Sequence, residues 1–295
     1  MTDMPLVCVL LSAYNGEKYI EEQLKSVLAQ TYKNIKIIVR DDGSTDGTKD
    51  IVKKYENITL IEGENIGFCK SFYELLKCAE GDYFAFCDQD DYWFEKKIET
   101  AVNWLQNRKN NIPTMFHSGY EITDENLQTT DYYKKPLYEY DFRRCLTENI
   151  YSGFSIVINQ KMRKELLKFD FNKLDYHDWL CGAIANGFGE VMFDDTPMAK
   201  YRRLTTSESR ESFAKRIKWF LASSEGESNI KKRSKEFLRV YGNKLSAEKL
   251  SVLQLFCDEK YSLTHSLKKA FYPKRWRPNM ASELSLRFLM LGGKV

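Results

Sequence analysis

The sequence predicts an α/β fold with a mixed, mostly parallel sheet flanked by helices and followed by a basic helical extension. Three observations support this prediction. Apolar segments of strand length alternate four times with segments of helical periodicity before residue 106. The apolar segments are continuous, which is typical of parallel strands buried on both faces. The balance of charge also changes sign near residue 200.

The first two strands are predicted over residues 7–12 and within 34–42, where β-branched and apolar residues form continuous runs. The segment between them, 14–31, has apolar residues at helical spacing. These are Tyr19, Ile20, Leu24, Val27 and Leu28. The second strand ends in carboxylates, and a helix is predicted after it over 49–56.

The alternation continues with a strand over 58–63, a helix within 67–81, a strand over 82–88 and a helix over 94–105. Strands joined through helices in this way predict right-handed βαβ units and a doubly wound sheet. Beyond residue 110 the pattern is less regular. We predict strands over 114–122, 151–159, 190–195 and 198–203, and helices over 160–169, 177–187, 215–224, 230–242 and 248–256.

Composition divides the chain into an acidic body and a basic tail. Residues 200–295 contain 22 Lys and Arg against 9 Asp and Glu, whereas the whole chain has a net charge of only +3. We therefore predict one domain over 1–210, with halves 1–110 and 111–210, and a basic extension over 211–295. No signal peptide or membrane span is predicted, because no apolar stretch has the required length and flanking charges.

Cysteine and histidine usage restricts the metal chemistry. Seven cysteines without a C-x-x-C motif indicate a reducing, cytoplasmic environment. Three histidines are too few to predict a His-rich zinc site, so a metal here would be bound by oxygen.

Unusual polar residues cluster directly after the first four predicted strands. They are Tyr14 and Asn15, Asp41 and Asp42, Asn65 and Gly67, and the run Asp88, Gln89, Asp90 and Asp91. In open α/β sheets ligands bind outside the carboxyl ends of the strands. The sequence therefore predicts the functional site at this edge.

The segment CDQDD places three carboxylates within four positions after the fourth strand. Mg²⁺ and Mn²⁺ prefer such oxygen ligands, usually one or two carboxylates with substrate phosphates and water. The alternative is a solvated loop in which Asp91 caps the following helix. Placement at a strand end favours the metal site.

Two other acidic segments have structural alternatives. DDGSTDGT fails as a calcium loop because Lys53 occupies its twelfth position, and it contains no phosphate-loop pattern. It reads as a strand-to-helix turn whose acidic residue would hydrogen-bond a ribose or base. In HDWL, Asp178 is either a helix cap or a general base, and the sequence alone favours the cap.

Taken in order, these segments resemble family 2 glycosyltransferases of the GT-A fold, and most of all bacterial rhamnosyltransferase-type enzymes of surface polysaccharide synthesis. The resemblance covers roughly residues 5–203. Its motifs are SAYNGEKYIEEQLKSVLAQTY, IIVRDDGSTDGT, NIGF, FCDQDDYWFEKKI, YSGFSIVIN, HDW and YRR.

The resemblance implies that residues 1–110 bind a dTDP- or UDP-sugar. The residues it assigns to the donor are Tyr14, Asn15, Glu17, Asp42, Asn65, Gly67, Lys70, Asp88, Gln89 and Arg202. Tyr14 would stack on the pyrimidine base and Asp42 would bind its edge. Asp90, with Asp88 beside it, would ligate a Mn²⁺ or Mg²⁺ ion at the diphosphate. Family members commonly carry a histidine after the YR pair, but this chain has Leu204, so Arg202 or Arg203 would neutralise phosphate instead.

Residues 111–210 would form the acceptor side. Asp178 takes the position of the catalytic base in a single displacement with inversion, and the acceptor-binding positions are Gly153, Phe154, Ser155, His177 and Trp179. L-rhamnose from dTDP-rhamnose is the first expectation for the donor, with UDP-linked hexoses also open. The acceptor would be a lipid-linked glycan. A nucleotidyltransferase is disfavoured because SAYNGEKY lacks a phosphate loop, and a non-catalytic scaffold remains an alternative.

The basic tail predicts a peripheral protein on the inner face of the plasma membrane. Between residues 268 and 294, Lys and Arg alternate with aromatic and aliphatic residues, a pattern suited to anionic lipid. The alternatives are a helical subdomain packed on the core and a nucleic-acid site, for which no motif is present. A homodimer is also possible.

Overall fold

The computed structural model describes residues 4–108, 111–133, 141–204 and 228–295. The first half contains, in chain order, β1 (Val7–Ala13), α1 (Ile20–Leu28), β2 (Ile35–Asp41), α2 (Thr48–Val52), β3 (Ile58–Glu62), α3 (Phe68–Cys78), β4 (Tyr83–Cys87), β5 (Tyr92–Trp93) and α4 (Lys97–Gln106). The rest contains β6 (Thr114–Thr123), β7 (Thr129–Tyr132), α5 (Phe142–Thr147), β8 (Ile156–Asn159), α6 (Gln160–Leu166), α7 (His177–Phe188), β9 (Glu190–Arg202), α8 (Asn229–Tyr241), α9 (Ala247–Gln254), α10 (Leu263–Ala270) and α11 (Met280–Leu291).

One mixed sheet organises the molecule, with strand order β3-β2-β1-β4-β8-β6-β9-β5 and β7 paired to β6. β1 pairs in parallel with both β2 and β4, and β2 pairs in parallel with β3. β8 forms short antiparallel pairings with β4 on one side and with β6 on the other. β6 forms a long parallel pairing with β9. The carboxyl ends of β1, β2 and β4 therefore meet at one edge.

The first strand is buried on both faces, as its continuous apolar sequence predicts. Val7, Val9 and Leu11 face one apolar core, with α1 and α4, whereas Cys8 and Leu10 face a second core with α3 and α7. All five side chains are inaccessible to solvent. Helices on both faces of the sheet thus produce the layered α/β architecture.

Sequence patterns missed three short elements and divided one long strand. β5 has two residues, α5 has six, and β7 is a fully exposed strand with no apolar alternation, so none has a recognisable period. The strands predicted over 190–195 and 198–203 form one strand, β9, despite Pro197. Its pairing with β6 shifts register at Gly119, where an added Cβ would lie 2.4 Å from the Asp195 carbonyl oxygen.

The C-terminal helices α8–α11 pack on the core that contains α3 and α7. Phe237, Tyr241 and Trp276 are fully buried there. The predicted helix over 215–224 and the predicted domain boundary at residue 210 lie outside the described residues. Within the described ranges, none of the helices has the length and apolar character needed to cross a bilayer.

Candidate active site

Hydrogen bonds tie the loops after β1, β2 and β4 into one edge. The side-chain amide of Gln89 accepts from the Tyr14 N–H (2.9 Å) and donates to the Tyr14 carbonyl (3.0 Å). The Asn15 N–H donates to Ser44 Oγ (2.9 Å), and the Gly16 N–H donates to Thr48 Oγ1 (2.8 Å). Strand ends that the sequence predicted to lie together are therefore directly linked.

These bonds give Gln89 a positioning role. Its amide holds the backbone of Tyr14, and its predicted contact with the donor stays a prediction. The close approach requires glycine at position 16, because an added Cβ would lie 2.2 Å from Gln89 Oε1. Asn15 and Glu17 also bind the second loop, accepting from the N–H groups of Thr45 and Gly47. Their predicted contacts with the donor stay predictions.

Asp42 has a structural role that the sequence did not indicate. It is 2% exposed, forms an ion pair with Arg40, and accepts hydrogen bonds from the N–H groups of Ile66 and Gly67 (both 2.9 Å). Its predicted contact with the base edge stays a prediction. Gly67 adopts φ 85°, a left-handed conformation that favours glycine, and this directs its N–H toward Asp42.

Three of the predicted donor residues remain open to solvent at this edge. The Tyr14 ring is 46% exposed, although Gln89 fixes its backbone. Asn65 and Lys70 are also exposed, and Lys70 lies in the first turn of α3. An aromatic face, an amide and a cation are thus available beside the strand ends.

Burial raises the pKa values of the carboxylates after β4, and neighbouring carboxylates add to the rise for Asp88 and Asp91. Burial, with the neighbouring charges of Asp90 and Asp178, raises the pKa of Asp88 to about 7. Burial also raises the pKa of Asp90, although Arg202 opposes the shift. Carboxylates that are costly to ionise together create a site that a cation would stabilise. Among the described residues, no group of three or more His, Cys, Asp and Glu side chains is placed to hold a metal ion. An ion at Asp88 and Asp90 would therefore need diphosphate oxygens and water to complete its coordination.

Asp91 does not cap the helix that follows it. The residue before α4 is Lys96, and no side chain caps that helix. Asp91 is instead buried, accepts from the Arg202 N–H (3.1 Å), and leaves its Oδ2 atom without a hydrogen-bond partner. Burial, together with the charges of Asp90 and Asp88, raises its pKa. The capping alternative is therefore wrong for this residue.

Arg202 is buried and holds the site together, and its predicted contact with phosphate stays a prediction. It is 3% exposed and donates from Nε to the Asp90 carbonyl (2.8 Å), from Nη1 to the Glu125 carbonyl and from Nη2 to the Glu22 carboxylate. The next residue, Arg203, is exposed. Of Arg202 and Arg203, only Arg203 has a side chain that is open to solvent and to a ligand.

Arg202→Ala is expected to lower the free energy of unfolding by about 1–3 kcal/mol, because it leaves buried carbonyl oxygens without donors. Arg203→Ala is the matched control and should leave stability within about 0.5 kcal/mol of the unmodified protein. Chemical denaturation measures both changes. Equal stabilities of the two variants would contradict the structural role of Arg202.

Asp178 lies in the first turn of α7 and is not its cap. The N-cap position is Tyr176, and no side chain caps the helix. Asp178 Oδ1 accepts from Asn149 Nδ2 and from the Trp179 N–H, both at 2.9 Å. Burial raises the pKa of Asp178 to about 6, and these hydrogen bonds oppose the rise. The charge of Asp178 also raises the pKa of Asp88, so the two carboxylates are within electrostatic reach of each other.

The predicted acceptor residues around Asp178 form its support. Trp179 is 1% exposed, and its Nε1 donates to the Cys145 carbonyl. His177 is buried between Phe72 and Phe86, and burial lowers its pKa to about 3. The two side chains support the site from the interior, and their predicted contact with an acceptor stays a prediction.

The turn before β8 is also structural. An added Cβ at Gly153 would lie 2.6 Å from His177 Nε2, so glycine permits this packing. Phe154 is buried and stacks on Tyr201, with ring centroids 5.1 Å apart. Ser155 is buried and donates to the Ser152 carbonyl (2.7 Å). Gly153, Phe154 and Ser155 therefore shape the wall near Asp178, and their predicted contact with the acceptor stays a prediction.

An exposed aromatic pair beside Asp178 was not predicted as part of the site. Phe68 follows Gly67 and Tyr176 precedes His177, and their ring centroids are 5.8 Å apart. Both rings are more than a third exposed. In the sequence, Phe68 shares its helical periodicity with the buried Phe72 and Leu75, and periodicity does not distinguish a buried position from an exposed one in the first turn.

A separate cleft lies between α4 and β9. Its volume is about 740 Å³, and its lining includes Tyr92, Lys96, Thr196 and Lys200. Neither Asp88, Asp90 nor Asp178 lines it. The cleft is therefore distinct from the carboxylate site at the strand ends.

Comparison with known proteins identifies the family. The family model described as glycosyl transferase family 2 matches residues 8–167, more than half of the chain. The chain belongs to glycosyl transferase family 2. This confirms the resemblance on which the site predictions depend.

Relatives of this family-2 chain include enzymes with more specific descriptions. It is 33% identical over 182 residues to the Escherichia coli UDP-Glc:alpha-D-GlcNAc-diphosphoundecaprenol beta-1,3-glucosyltransferase WfaP, covering 60% of this chain and 70% of WfaP. It is 27% identical to the putative teichuronic acid biosynthesis glycosyltransferase TuaG of Bacillus subtilis, covering 74% of this chain and 87% of TuaG. It spans less than two thirds of the first Rickettsia relatives, 65% in Rickettsia typhi and 18% in Rickettsia bellii.

Solved structures confirm the GT-A fold of this family-2 chain. S. aureus TarS 1-349 in complex with UDP-GlcNAc matches with a TM-score of 0.57 and 21% identity, covering 98% of this chain and 80% of that structure. TarS 1-349 without a named ligand gives the same TM-score at 20% identity. At this identity the likeness concerns the fold.

Proposed function

We propose that the protein is an inverting, divalent-metal-dependent glycosyltransferase that moves a sugar from a nucleotide diphosphate to a hydroxyl of a lipid-linked glycan. The observation that carries the proposal is the edge where Gln89 joins the loop of the exposed Tyr14 to the loop of Asp88 and Asp90, with Asp178 within electrostatic reach of Asp88. A nucleotide platform, paired acids and a separate buried acid are the parts that such a displacement requires.

On the donor side, Tyr14 supports the base, and Lys70 and Arg203 offer exposed cations to the diphosphate. Asp88 and Asp90 would hold Mn²⁺ or Mg²⁺, which supplies Lewis-acid stabilisation of the leaving diphosphate when bound. Gln89 and Arg202 keep these side chains in place through backbone contacts. Preorganised loops reduce the entropy lost when the donor binds.

On the acceptor side, Asp178 removes the proton from the attacking hydroxyl. Asn149 orients the carboxylate, and burial raises its pKa toward neutrality, which suits a general base. The exposed rings of Phe68 and Tyr176 offer an apolar face to a sugar of the acceptor.

The choice of donor follows from the relatives. WfaP is named for UDP-Glc, and a TarS structure contains UDP-GlcNAc, so a UDP-hexose is the donor that they support. The sequence resemblance favours dTDP-rhamnose, so this donor is tested beside the UDP-linked sugars. WfaP is also named for a diphosphoundecaprenol-linked acceptor, which supports a lipid-linked glycan for this chain.

A radiolabelled donor panel tests the proposed function. UDP-Glc, UDP-Gal, UDP-GlcNAc and dTDP-rhamnose are incubated with the full chain, Mn²⁺ and polyprenyl-diphosphate-linked sugars. Metal-dependent transfer from one donor, with inverted configuration at the anomeric carbon, is expected. Absence of both donor binding and donor hydrolysis across the panel would instead support a non-catalytic scaffold.

Tyr14→Ala is expected to weaken nucleotide binding by roughly 1–3 kcal/mol, the usual contribution of base stacking on an aromatic ring. Tyr14→Phe is the matched control and should bind almost normally, because it retains the ring. Calorimetry with UDP and dTDP measures both variants. Equal affinity of Tyr14→Ala and the unmodified protein for both nucleotides would remove Tyr14 from the site.

The pH dependence of kcat should reflect Asp178. Because burial raises its pKa to about 6 and the base must be ionised, kcat should rise through pH 6 and fall about tenfold per unit below it. Asn149→Ala removes a hydrogen-bond donor that stabilises the ionised Asp178 carboxylate, so the pKa of Asp178 should rise. The rise of kcat with pH should then occur at higher pH. Rate profiles between pH 4.5 and 8.5 measure both effects, and an unmoved limb in Asn149→Ala would contradict the assignment.

A further inference from the structure

Helices α10 and α11 expose a row of large apolar side chains. The row consists of Leu263 (60% exposed) and Leu267 on α10, Phe271 (73%) directly after α10, and Met280, Leu284 (61%), Phe288 (68%) and Leu291 on α11. Within each helix, with Phe271 counted at the end of α10, these residues are four positions apart, except that Leu291 follows Phe288 by three. They therefore lie along one side of each helix. We call these seven residues the apolar face.

The apolar face belongs to a firmly anchored pair of helices. Arg287 on α11 donates to the carbonyls of Ala270 (2.7 Å) and Tyr272 (3.0 Å), and the Tyr261 hydroxyl donates to the Leu291 carbonyl (3.3 Å). These contacts set the helices side by side and antiparallel. Met290 of α11, and Trp276 in the segment between the two helices, are buried in the core. The exposed row is thus part of a rigid surface.

Cations surround this face. Residues 260–295 contain eight Lys and Arg but a single acidic residue, Glu283, which is buried and paired with Arg287. The exposed cations of this segment are Lys260, Lys268, Lys274, Arg275 and Lys294. The apolar face is therefore surrounded by positive charge.

The structure also corrects which tail residues are available to a ligand. Lys269 is buried and donates to the Val295 carbonyl, and Arg277 donates to the Thr147 carbonyl (2.9 Å). Leu286 and Trp276 are buried. These residues stabilise the fold, whereas the apolar face and its cations remain exposed.

We propose that the apolar face docks on an anionic phospholipid membrane. Its cations match the charge of the headgroups, while Phe271, Phe288 and the leucines match the apolar boundary below them. A second copy of the chain fits less well, because a two-fold contact would bring the same cations against each other. The proposal rests on the proposed function, since docking would bring the active site to a lipid-linked acceptor.

Vesicle flotation of the full chain tests the docking. We expect binding to vesicles of phosphatidylglycerol and phosphatidylcholine, weakened by salt, and at least about tenfold weaker binding to phosphatidylcholine alone. The variant Phe271→Ser, Leu284→Ser, Phe288→Ser should lower binding by about tenfold or more, because it removes the inserting side chains. The matched control replaces three exposed apolar residues elsewhere: Met4→Ser, Leu28→Ser and Tyr132→Ser.

A charge variant tests the cations. Lys268→Glu, Lys274→Glu and Lys294→Glu together should lower binding by about tenfold or more, while Lys36→Glu, Lys54→Glu and Lys161→Glu should leave it within about twofold. Circular dichroism verifies that each variant is folded. Unchanged binding in the serine variant would overturn the proposal. So would absent vesicle binding together with a dimer that the serine variant dissociates, as measured by sedimentation.

Transfer to a water-soluble acceptor separates this proposal from the proposed function. The serine and glutamate variants should transfer sugar to it at the unmodified rate, because the apolar face is remote from Asp178 in the chain and carries none of the site residues. If the unmodified protein transferred no sugar to the soluble acceptor, this would contradict the proposed function. The vesicle-binding result would still test the membrane proposal by itself.

Discussion

Asp178→Asn is expected to lower kcat by about 10²–10⁴-fold and to leave donor affinity unchanged, because a general base acts only in the chemical step. Asn has nearly the same volume and keeps an oxygen that can accept from Asn149 and the Trp179 N–H. The buried surroundings should therefore remain intact. Single-turnover kinetics with saturating donor measures the rate, and calorimetry measures donor binding.

Asp170→Asn is the matched control for this prediction. Asp170 also accepts a backbone N–H in a helical turn, from Asn172 (3.0 Å), but it contacts none of the site carboxylates in the described contacts. Its variant should retain kcat within about twofold. If Asp178→Asn behaved like this control, Asp178 would be a structural residue and the base would have to be sought elsewhere.

Asp90→Asn should abolish the gain in donor affinity that Mn²⁺ provides. A loss of at least about 100-fold is expected, since even an outer-shell partner of a metal contributes 10- to 100-fold to metal affinity. Because burial raises the pKa of Asp90, removing its charge should not destabilise the protein without metal. Calorimetric titration of UDP, with and without Mn²⁺, measures the effect.

Asp50→Asn makes the same change of charge on the exposed surface of α2 and serves as the control. It should keep the full Mn²⁺ effect. Donor affinity that depends on Mn²⁺ equally in both variants would refute a metal site at Asp90.

The fold could be predicted because its signal is repeated along the chain. Four apolar runs between amphipathic helices require a parallel sheet, and such a sheet places Tyr14, Asp42 and Asp90 at one edge. Hydrogen bonds from Gln89 and Asn15 link those strand ends as expected. Short or polar elements such as β5 and β7 carry too few residues to show a period.

The sequence could not separate residues that touch a ligand from residues that hold the site. Gln89, Asp42 and Arg202 lie in the motifs, but their hydrogen-bonding groups bind backbone atoms of neighbouring loops. Trp179 and Phe154 are aromatic residues near the base, yet they pack in the interior. Burial of a polar side chain depends on which loops meet in space, and this is not encoded in local spacing.

The tail illustrates the same limit. Basic and apolar residues alternate from 268 to 294, but only the structure distinguishes Lys269 and Trp276 inside from Lys268 and Phe271 outside. A Lys or Arg can stabilise a helix end by donating to carbonyl oxygens, as Arg287 does, or it can face solvent. Charge patterning alone predicts neither outcome.

The most direct test of the central claim is a crystal structure of the protein with UDP and Mn²⁺. We expect the uracil ring against Tyr14 and the diphosphate with its ion beside Asp90, on the same side of the sheet edge as Asp178. A nucleotide bound in the cleft between α4 and β9, or anywhere away from Tyr14 and Asp90, would contradict the assignment of this edge as the donor site.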